Sequence, residues 1–324
     1  MVPDSARPRV GVVGVGYLGA LHAAKLAALA DRGACELVGV HDLDPARGAD
    51  VAAQTGCEAF ASLDELLTCS DAVTIAVPTL AHADVGCRVA AAGVHMLMEK
   101  PLAADSPSAA RLADAAARAD VLVQVGHLER FNPVFDDVHR VVSAPRFIEC
   151  HRLSPFAGRG ADTDVVFDVM IHDLDIISFL VGREVATVEA VGVPVLSAKL
   201  DIANARIRFE GGCIANVTAS RVSLKRERKL RVFQEDGYVS IDFDAASALL
   251  ATHKPGSPPP AQLESPMEAI AVEQRSFDDA DPLLAELEAF VECVRAGEPP
   301  LVGIAEGLKA LALADRVVSS LETL

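Results

Sequence analysis

Four residues with acid–base side chains interrupt the apolar stretch from Asp164 to Gly182, and three of them share one face, whereas Asp173 lies on another and is left unassigned. Asp168, His172 and Asp175 have the spacing i, i+4, i+7, which places them along one stripe of a helix. Nearly all the other residues of the stretch are apolar, as expected of a buried helix. Because an unpaired buried charge costs several kcal/mol, the stripe must face a polar partner. The stretch alone is equally compatible with a structural Asp–His pair and with a catalytic face.

A lysine in the first half of the chain is a second candidate for chemistry. Lys100 follows the apolar run 94–98 within the sequence Glu99-Lys100-Pro101. If that run is a parallel strand, the lysine lies at the edge of the sheet where ligands bind. The alternative is a solvated lysine at the end of a strand.

The first 42 residues carry a pattern typical of dinucleotide binding. The β-branched run Arg9–Val13 leads into Gly14-Val15-Gly16-Tyr17-Leu18-Gly19, and a helix rich in Ala and Leu follows. The glycines allow a tight turn, close approach of the backbone to a pyrophosphate and close packing of the helix. Asp42 lies about 20 residues further on, where a carboxylate bonds the ribose 2′-hydroxyl. Since no arginine follows it directly, the pattern favours NAD over NADP.

The elements that would position these residues fall into two groups. Strands and helices alternate as far as residue 125, which predicts an α/β domain with a doubly wound parallel sheet of the Rossmann type. Pro78, Thr79, Lys100 and His127 follow its strands. From Glu184 onward, short strands with two-residue turns predict an antiparallel meander with one face packed. We therefore expect an NAD-binding Rossmann domain (1–125), an α+β domain with an open, mostly antiparallel sheet (126–300), and a last helix (301–324) packing back on the Rossmann domain.

Composition excludes several classes of protein. The net charge of −17 disfavours binding to nucleic acid. The seven cysteines are scattered without CxxC spacing, which argues against a disulfide framework and against a zinc site, so we expect no metal. No apolar run reaches the roughly 18 residues of a membrane helix, and the first residues, MVPDSARPRV, lack a signal-peptide core. We expect a cytoplasmic protein that binds a small molecule.

Four segments resemble the Gfo/Idh/MocA superfamily, named after glucose–fructose oxidoreductase and inositol dehydrogenase. They are GVGYLGALH near the start, EKP at 99–101, GHLERFNP at 126–133 and DVMIHDLD at 168–175. The resemblance implies a homodimer or homotetramer formed through the outer face of the open sheet. It also implies a catalytic group of Lys100, Asp168 and His172. The expected NAD contacts are Gly14, Gly16, Tyr17, Leu18, Asp42, Pro78, Thr79, His82, Glu99 and Lys100.

Residues 124–243 resemble one branch of that superfamily more densely, in segments such as QVGHLERFNP and RKLRVFQ. Members of this branch oxidise C3 of UDP-N-acetylglucosamine, and the 3-keto sugar nucleotide is later aminated for lipid A that carries a 3-amino sugar. Guanidinium groups match the geometry of phosphate, so arginines nearby are candidates for the diphosphate. Ordinary surface pairing is the alternative for them. The expected substrate contacts are His127, Arg130, Asn132, Arg152 and Arg159.

Oxidation of a secondary alcohol requires a base for the hydroxyl proton while a hydride leaves the carbon. His172 suits that task at neutral pH, and Asp168 would orient its ring. Lys100 would stabilise the developing alkoxide, although the roles of Lys100 and His172 are interchangeable at this stage. A uronate sugar nucleotide, a free polyol or sugar, or an NAD-dependent glycosidase reaction are alternatives. A non-catalytic NAD-binding regulator is disfavoured because all three catalytic residues are present.

Overall fold

The computed structural model describes residues 7–156, 163–254, 256–258, 262–263, 265–278 and 280–321. The chain forms two compact units, one of residues 1–128 and 281–311, the other of residues 129–280 and 312–324. This division differs from the expected boundaries, because the helix Pro282–Ala296 belongs to the first unit. Its residues Leu287 and Phe290 share a buried core with Leu26 and Leu97. No helix among the described residues is long and apolar enough to cross a membrane.

The first unit contains a six-stranded parallel sheet in the order β3-β2-β1-β4-β5-β6. This order confirms the doubly wound parallel sheet that the alternating pattern predicts. Its strands are β1 (Arg9–Val13), β2 (Glu36–His41), β3 (Glu58–Ala59), β4 (Ala72–Ile75), β5 (His95–Glu99) and β6 (Val123–Gly126).

Capping side chains begin several helices of this unit. Ser62 and Glu65 form a reciprocal capping box, and Asp44, Asp105 and Asp281 each accept backbone N–H groups at a helix start. The α-helices that alternate with these strands are α1 (Tyr17–Asp31), α2 (Pro45–Thr55), α3 (Leu63–Cys69), α4 (His82–Ala91) and α5 (Ser106–Ala119).

The second unit contains an eight-stranded sheet that is open and mostly antiparallel, as expected. The prediction of a simple meander was wrong in one respect, because β7 lies between β11 and β10 and runs parallel to β10. Two later strands, β13 and β14, were not predicted. The strands are β7 (Pro145–Leu153), β8 (Val185–Val193), β9 (Ile202–Phe209), β10 (Ile214–Ser220), β11 (Glu227–Gln234), β12 (Gly237–Asp242), β13 (Ser247–His253) and β14 (Ile270–Ser276).

One face of this sheet is packed and the other is open. In β9, Ala203, Ala205 and Ile207 are buried whereas Asn204 and Arg206 are exposed, which confirms the prediction that one face of the sheet is packed. The packed face shares its core with a short helix, α6 (Pro133–Val138), and with a longer helix, α7 (Ile171–Val181). Among the described residues, α8 (Pro282–Ala296), which belongs to the first unit, and α9 (Ile304–Ser319) follow β14.

The apolar stretch that contains Asp168 and His172 is not a regular α-helix throughout. Residues Val166–Met170 form a π-helical turn, and α7 continues directly from it to Val181. Gly182 ends the helix in the left-handed conformation, with φ +59°. The stretch therefore contains a local change of hydrogen-bond register immediately beside its candidate catalytic residues.

Candidate functional site

The three glycines of the turn between β1 and α1 have different structural roles. Gly14 has φ +80°, and its N–H donates to the carbonyl of His41 at 2.8 Å. A Cβ on Gly19 would lie 1.8 Å from the carbonyl oxygen of Gly14, so only glycine permits this close packing of helix on turn. A Cβ on Gly16 would meet no atom within 4 Å, which leaves space above the first turn of α1. A helix N-terminus beside such space suits a pyrophosphate.

Asp42 lies at the end of β2 and closes the same turn. One carboxylate oxygen accepts the N–H of Val15 at 2.8 Å, and the other accepts the N–H of Asp44 at 2.9 Å. Arg47 of α2 lies 3.5 Å from this carboxylate. The prediction of NAD rested on the residues directly after Asp42, whereas this arginine reaches back from the first turn of the helix and was not predicted.

The predicted residues at strand ends in the first unit differ in their surroundings. Pro78 and Thr79 lead into a short 3₁₀ turn, Thr79–Ala81. His82 is buried, and its ring nitrogens lie 2.8 Å from the carbonyl of Pro101 and 3.0 Å from that of Val77. Burial lowers the pKa of His82. Its ring therefore ties α4 to the backbone beside Lys100.

Lys100 follows β5 directly and is half-buried. The Lys100–Pro101 bond is cis. The N–H of Lys100 donates to a carboxylate oxygen of Glu99 at 3.3 Å, and His22 lies 3.0 Å from the other oxygen of that carboxylate. His127, after β6, is buried in the same unit. Neighbouring side chains thus hold the backbone at the carboxyl end of β5.

In the second unit, Asp168 lies within the π-helical turn and His172 lies in the first turn of α7. A π-helix bonds i to i+5, whereas an α-helix completes a turn in about 3.6 residues. Residues four apart across a π turn are therefore more nearly aligned along the helix axis than in an α-helix. Both side chains are half-buried. Single π turns occur frequently at functional sites.

The start of this helix is held by the loop between β8 and β9. The N–H of Leu200 donates to the carboxylate of Asp164 at 2.9 Å, and its carbonyl accepts the N–H of Val165 at 3.0 Å. Arg221 donates to the carbonyl of Thr163 at 2.7 Å. The buried carboxylate of Asp201 accepts Arg221 Nε at 2.8 Å, which connects the loop to the helix start.

Arg152 lies in a buried ion-pair network. Its guanidinium donates to Asp173 of α7 at 2.9–3.2 Å and to Glu129 at 2.8 Å, and the residue is only 5% exposed. Burial alone would lower the pKa of Arg152, but the two carboxylates outweigh it and raise that pKa. Burial raises the pKa of Asp173, against the attraction of Arg152. Arg228, opposite Arg152 on β11, lies 3.6 Å from Glu129.

Arg130 and Asn132 have local contacts as well. The guanidinium of Arg130 stacks over the ring of Phe179, 3.5 Å from its centroid, and lies 4.0 Å from the carboxylate of Asp175. Asn132 caps α6 by accepting the N–H of Val134, and its amide donates to Glu129. Arg159 lies outside the described residues.

Sequence reasoning missed the network partners Glu129, Asp173 and Arg228. The alternation of side chains along β7 could have revealed them. Residues two apart in a strand share a face, so Arg152 lies on the same packed face as Cys150 and Ile148. An arginine on the packed face of a strand requires buried carboxylates as partners.

Together, the parallel doubly wound sheet, the glycine turn and Asp42 define a dinucleotide-binding domain of an oxidoreductase. A family model for GFO/IDH/MocA oxidoreductases, described as an NAD-binding Rossmann fold, matches residues 8–127. The model for the C-terminal domain of the same family matches residues 143–240. The chain belongs to this family, as its motifs indicated, and NAD is the cofactor of its Rossmann domain.

Individual relatives agree with this family. The chain is 38% identical, over 97% of its length and 97% of the relative's, to a UDP-N-acetylglucosamine 3-dehydrogenase from Acidithiobacillus ferrooxidans. A solved structure of that dehydrogenase, GnnA, superposes with a TM-score of 0.89 at 36% identity and covers 97% of both chains. A myo-inositol 2-dehydrogenase from Thermotoga maritima is 26% identical over 97% of this chain and 96% of its own.

Proposed function

We propose that the chain oxidises the C3 hydroxyl of UDP-N-acetylglucosamine to a ketone with NAD, and that Lys100, Asp168 and His172 act on that hydroxyl. The position of Asp168 within the π-helical turn, four residues before His172 in the first turn of α7, carries the catalytic part of this proposal. The substrate is supported by the 38% identity to a dehydrogenase of that name over 97% of both chains.

Each catalytic residue has a separate role in the proposed reaction. His172 takes the hydroxyl proton on an imidazole nitrogen, and Asp168 orients the ring and stabilises its cationic form. Lys100 donates a hydrogen bond to the oxygen as negative charge develops there. Bound NAD supplies the acceptor for the hydride that leaves C3.

The expected substrate contacts divide into two groups under this proposal. Arg152 and Arg130 hold α7 in place through Asp173, Asp175 and Phe179, and so act on the site indirectly. His127 and Asn132 remain proposed substrate contacts. Arg159 also remains one, outside the described residues.

We also propose that the protein is a homo-oligomer formed through the open sheet face, whether dimer or tetramer. An aromatic group lies on that face, with Phe233 centred 5.7 Å from Phe147 and 4.9 Å from Tyr238. Phe233 is 38% exposed and Val272 of β14 is 58% exposed. Apolar side chains in such numbers on one sheet face are typical of an interface. A cytoplasmic location and a role in making 3-amino sugar for lipid A belong to the same proposal.

The substrate is tested by NADH formation in the presence of a reagent that traps ketones, since these oxidations are unfavourable on their own. UDP-N-acetylglucosamine, UDP-N-acetylglucosaminuronate and myo-inositol are compared at equal concentration. We expect turnover with the first, and preferential turnover with either of the others would contradict the proposal.

The catalytic residues are tested by Lys100→Ala and His172→Ala, with the exposed Lys199→Ala and His253→Ala as matched controls. Each catalytic variant should lose about 100- to 10,000-fold in turnover, in the range of general acid–base effects, while NAD still binds. Turnover like that of the wild type in either variant would overturn the assignment.

A further inference from the structure

A group of polar side chains is buried in the first unit, behind the strand that leads to Lys100. His22 of α1, Gln124 of β6 and Glu286 of α8 are fully buried, and Glu99 at the end of β5 is 8% exposed. These residues come from four different elements. Three of them, His22, Gln124 and Glu286, have no part in the proposed reaction.

Hydrogen bonds connect this group to the backbone beside the candidate lysine. His22 Nε2 lies 3.0 Å from Glu99 Oε1, and Glu99 Oε2 accepts the N–H of Lys100 at 3.3 Å. Gln124 Nε2 donates to the backbone carbonyl of Glu286 at 3.0 Å. A Cβ on Gly126 would lie 3.0 Å from Glu99 Oε2, so glycine there leaves room for the carboxylate.

Several polar atoms of the group have no hydrogen-bond partner among the described residues. They are both carboxyl oxygens of Glu286, Nδ1 of His22 and Oε1 of Gln124. Thr74 Oγ1 is a further one, and Thr74 shares a row of the sheet with Leu97 and Gln124. Buried polar atoms are almost always satisfied, and ordered water satisfies those that protein groups do not reach.

The two carboxyl groups differ in their surroundings. Burial raises the pKa of Glu286 well above its usual value, and the charge of Glu99 raises it further. Burial also raises the pKa of Glu99, but His22, Lys100 and His82 outweigh it, so that this pKa is lowered.

Two ion pairs connect α1 and the residue after it to α8 and its N-cap. Lys25 of α1 bonds Asp281 at the start of α8, and Arg32 bonds Glu288 at 3.2 Å. Glu286 lies close enough to Glu99 for their charges to interact, and its neighbour along the chain, Leu287, belongs to the buried apolar core.

We propose that Glu286 is a neutral acid which shares buried water with His22 and Gln124, and that this hydrated cluster keeps Glu99 ionised beside Lys100. The O–H of Glu286 donates to water, water donates to His22 Nδ1, and His22 Nε2–H donates to Glu99. His22 and Glu286 are therefore positioning residues, since they act on the lysine only through Glu99. The effect of this cluster on catalysis depends on the proposed function of Lys100. The neutral state of Glu286 does not depend on that function.

The state of Glu286 is tested by thermal unfolding of the full chain from about pH 5 to about pH 9, with E286Q compared to the wild type and E288Q as the exposed control. A raised pKa means that protonation stabilises the fold, and this stabilisation is lost as pH rises. E286Q should match the wild type at the acidic end and unfold at higher temperature at the alkaline end. A difference that is constant with pH, or a less stable E286Q at the alkaline end, would overturn the proposal.

The effect on Glu99 is tested by the pH profile of kcat in H22L and H22Q. In H22L we expect kcat at neutral pH to fall about tenfold or more and its acidic limb to move to higher pH, because Glu99 loses its donor. H22Q offers a side-chain N–H in a similar place and should restore both. An unchanged profile in H22L would contradict the proposal. If UDP-N-acetylglucosamine is not oxidised at all, the proposed function fails, while the unfolding series still reports on Glu286.

Discussion

We propose that Asp42 determines which dinucleotide the first unit accepts. Its carboxylate accepts the N–H of Val15 and so supports the glycine turn. It also follows β2, where an acidic side chain of a Rossmann domain bonds the ribose 2′-hydroxyl. Arg47, 3.5 Å away, is held near this carboxylate by charge. On this proposal, the preference for NAD depends on the carboxylate of Asp42, which lies beside the guanidinium of Arg47.

We predict that Asp42→Ser shifts preference from NAD toward NADP. Removing the carboxylate ends repulsion of a 2′-phosphate and leaves Arg47 available to bind it. The ratio of kcat/KM for NADP over NAD should rise about 10- to 100-fold, as expected of one charge pair. Steady-state kinetics with both cofactors measures this ratio, and Asp50→Ser, at an exposed position of α2, is the control. An unchanged ratio would show that another group selects the cofactor.

Arg152 offers a second test at the level of one residue. We predict that Arg152→Met lowers the free energy of unfolding by about 3–5 kcal/mol, because it leaves Glu129 and Asp173 buried without their cation. Arg231→Met is the matched control on the open face, where the pair with Glu149 at 3.2 Å is exposed and contributes about 0–1 kcal/mol. Urea unfolding measures both. A higher KM for the sugar nucleotide with unchanged stability would instead identify Arg152 as a substrate contact.

Elements governed by local chemistry were predictable from the sequence. The capping box at Ser62 and Glu65, the glycine turn after β1 and the end of α7 at Gly182 follow from side chains within a few residues. The alternation in β9 was equally readable, because burial of one sheet face imposes a period of two.

Features that depend on distant contacts were not predictable in the same way. No residue type marks the π-helical turn Val166–Met170, which is a shift of backbone hydrogen bonds. The insertion of β7 between β10 and β11 is a matter of pairing between segments far apart in sequence. The partners of Arg152 were missed because the residue was predicted to contact the diphosphate or to pair at the surface, whereas the strand directs it into the core.

The loop between β8 and β9 positions the candidate catalytic helix, and Asp201 organises that loop. One oxygen of its carboxylate accepts the N–H groups of Val195, Leu196 and Ser197 at 2.6–2.8 Å. Together with Arg221, these hydrogen bonds outweigh the effect of burial and hold the pKa of Asp201 well below its usual range.

We predict that Asp201→Asn lowers the free energy of unfolding by about 1–3 kcal/mol at neutral pH, since an amide cannot accept all these donors. A lowered pKa means that the carboxylate stabilises the fold above its ordinary pKa, and this stabilisation is lost as pH falls. The difference between wild type and variant should therefore shrink below about pH 4. Urea unfolding against pH measures it, with the exposed Asp236→Asn as control. A difference that persists in acid would contradict this account.

At the scale of the whole molecule, the open sheet face should determine assembly. We predict that Phe233→Glu dissociates the oligomer, because a charge is introduced among Phe147, Tyr238 and Val272. Leu224→Glu is the control, since Leu224 is fully exposed between strands. Sedimentation velocity measures the masses. A monomeric wild type, or a variant of unchanged mass, would exclude this face as the interface.

The position of the new carbonyl group tests the central claim most directly. The chain is incubated with NAD and UDP-N-acetylglucosamine, and the product is reduced at once with borodeuteride and located by NMR. We predict deuterium at C3 of the sugar in the wild-type reaction and at least about 100-fold less in the reactions of Lys100→Ala and His172→Ala over the same time. Deuterium at another carbon would contradict the assignment of this chain as a C3 dehydrogenase, and label at the wild-type level in either variant would contradict the catalytic roles.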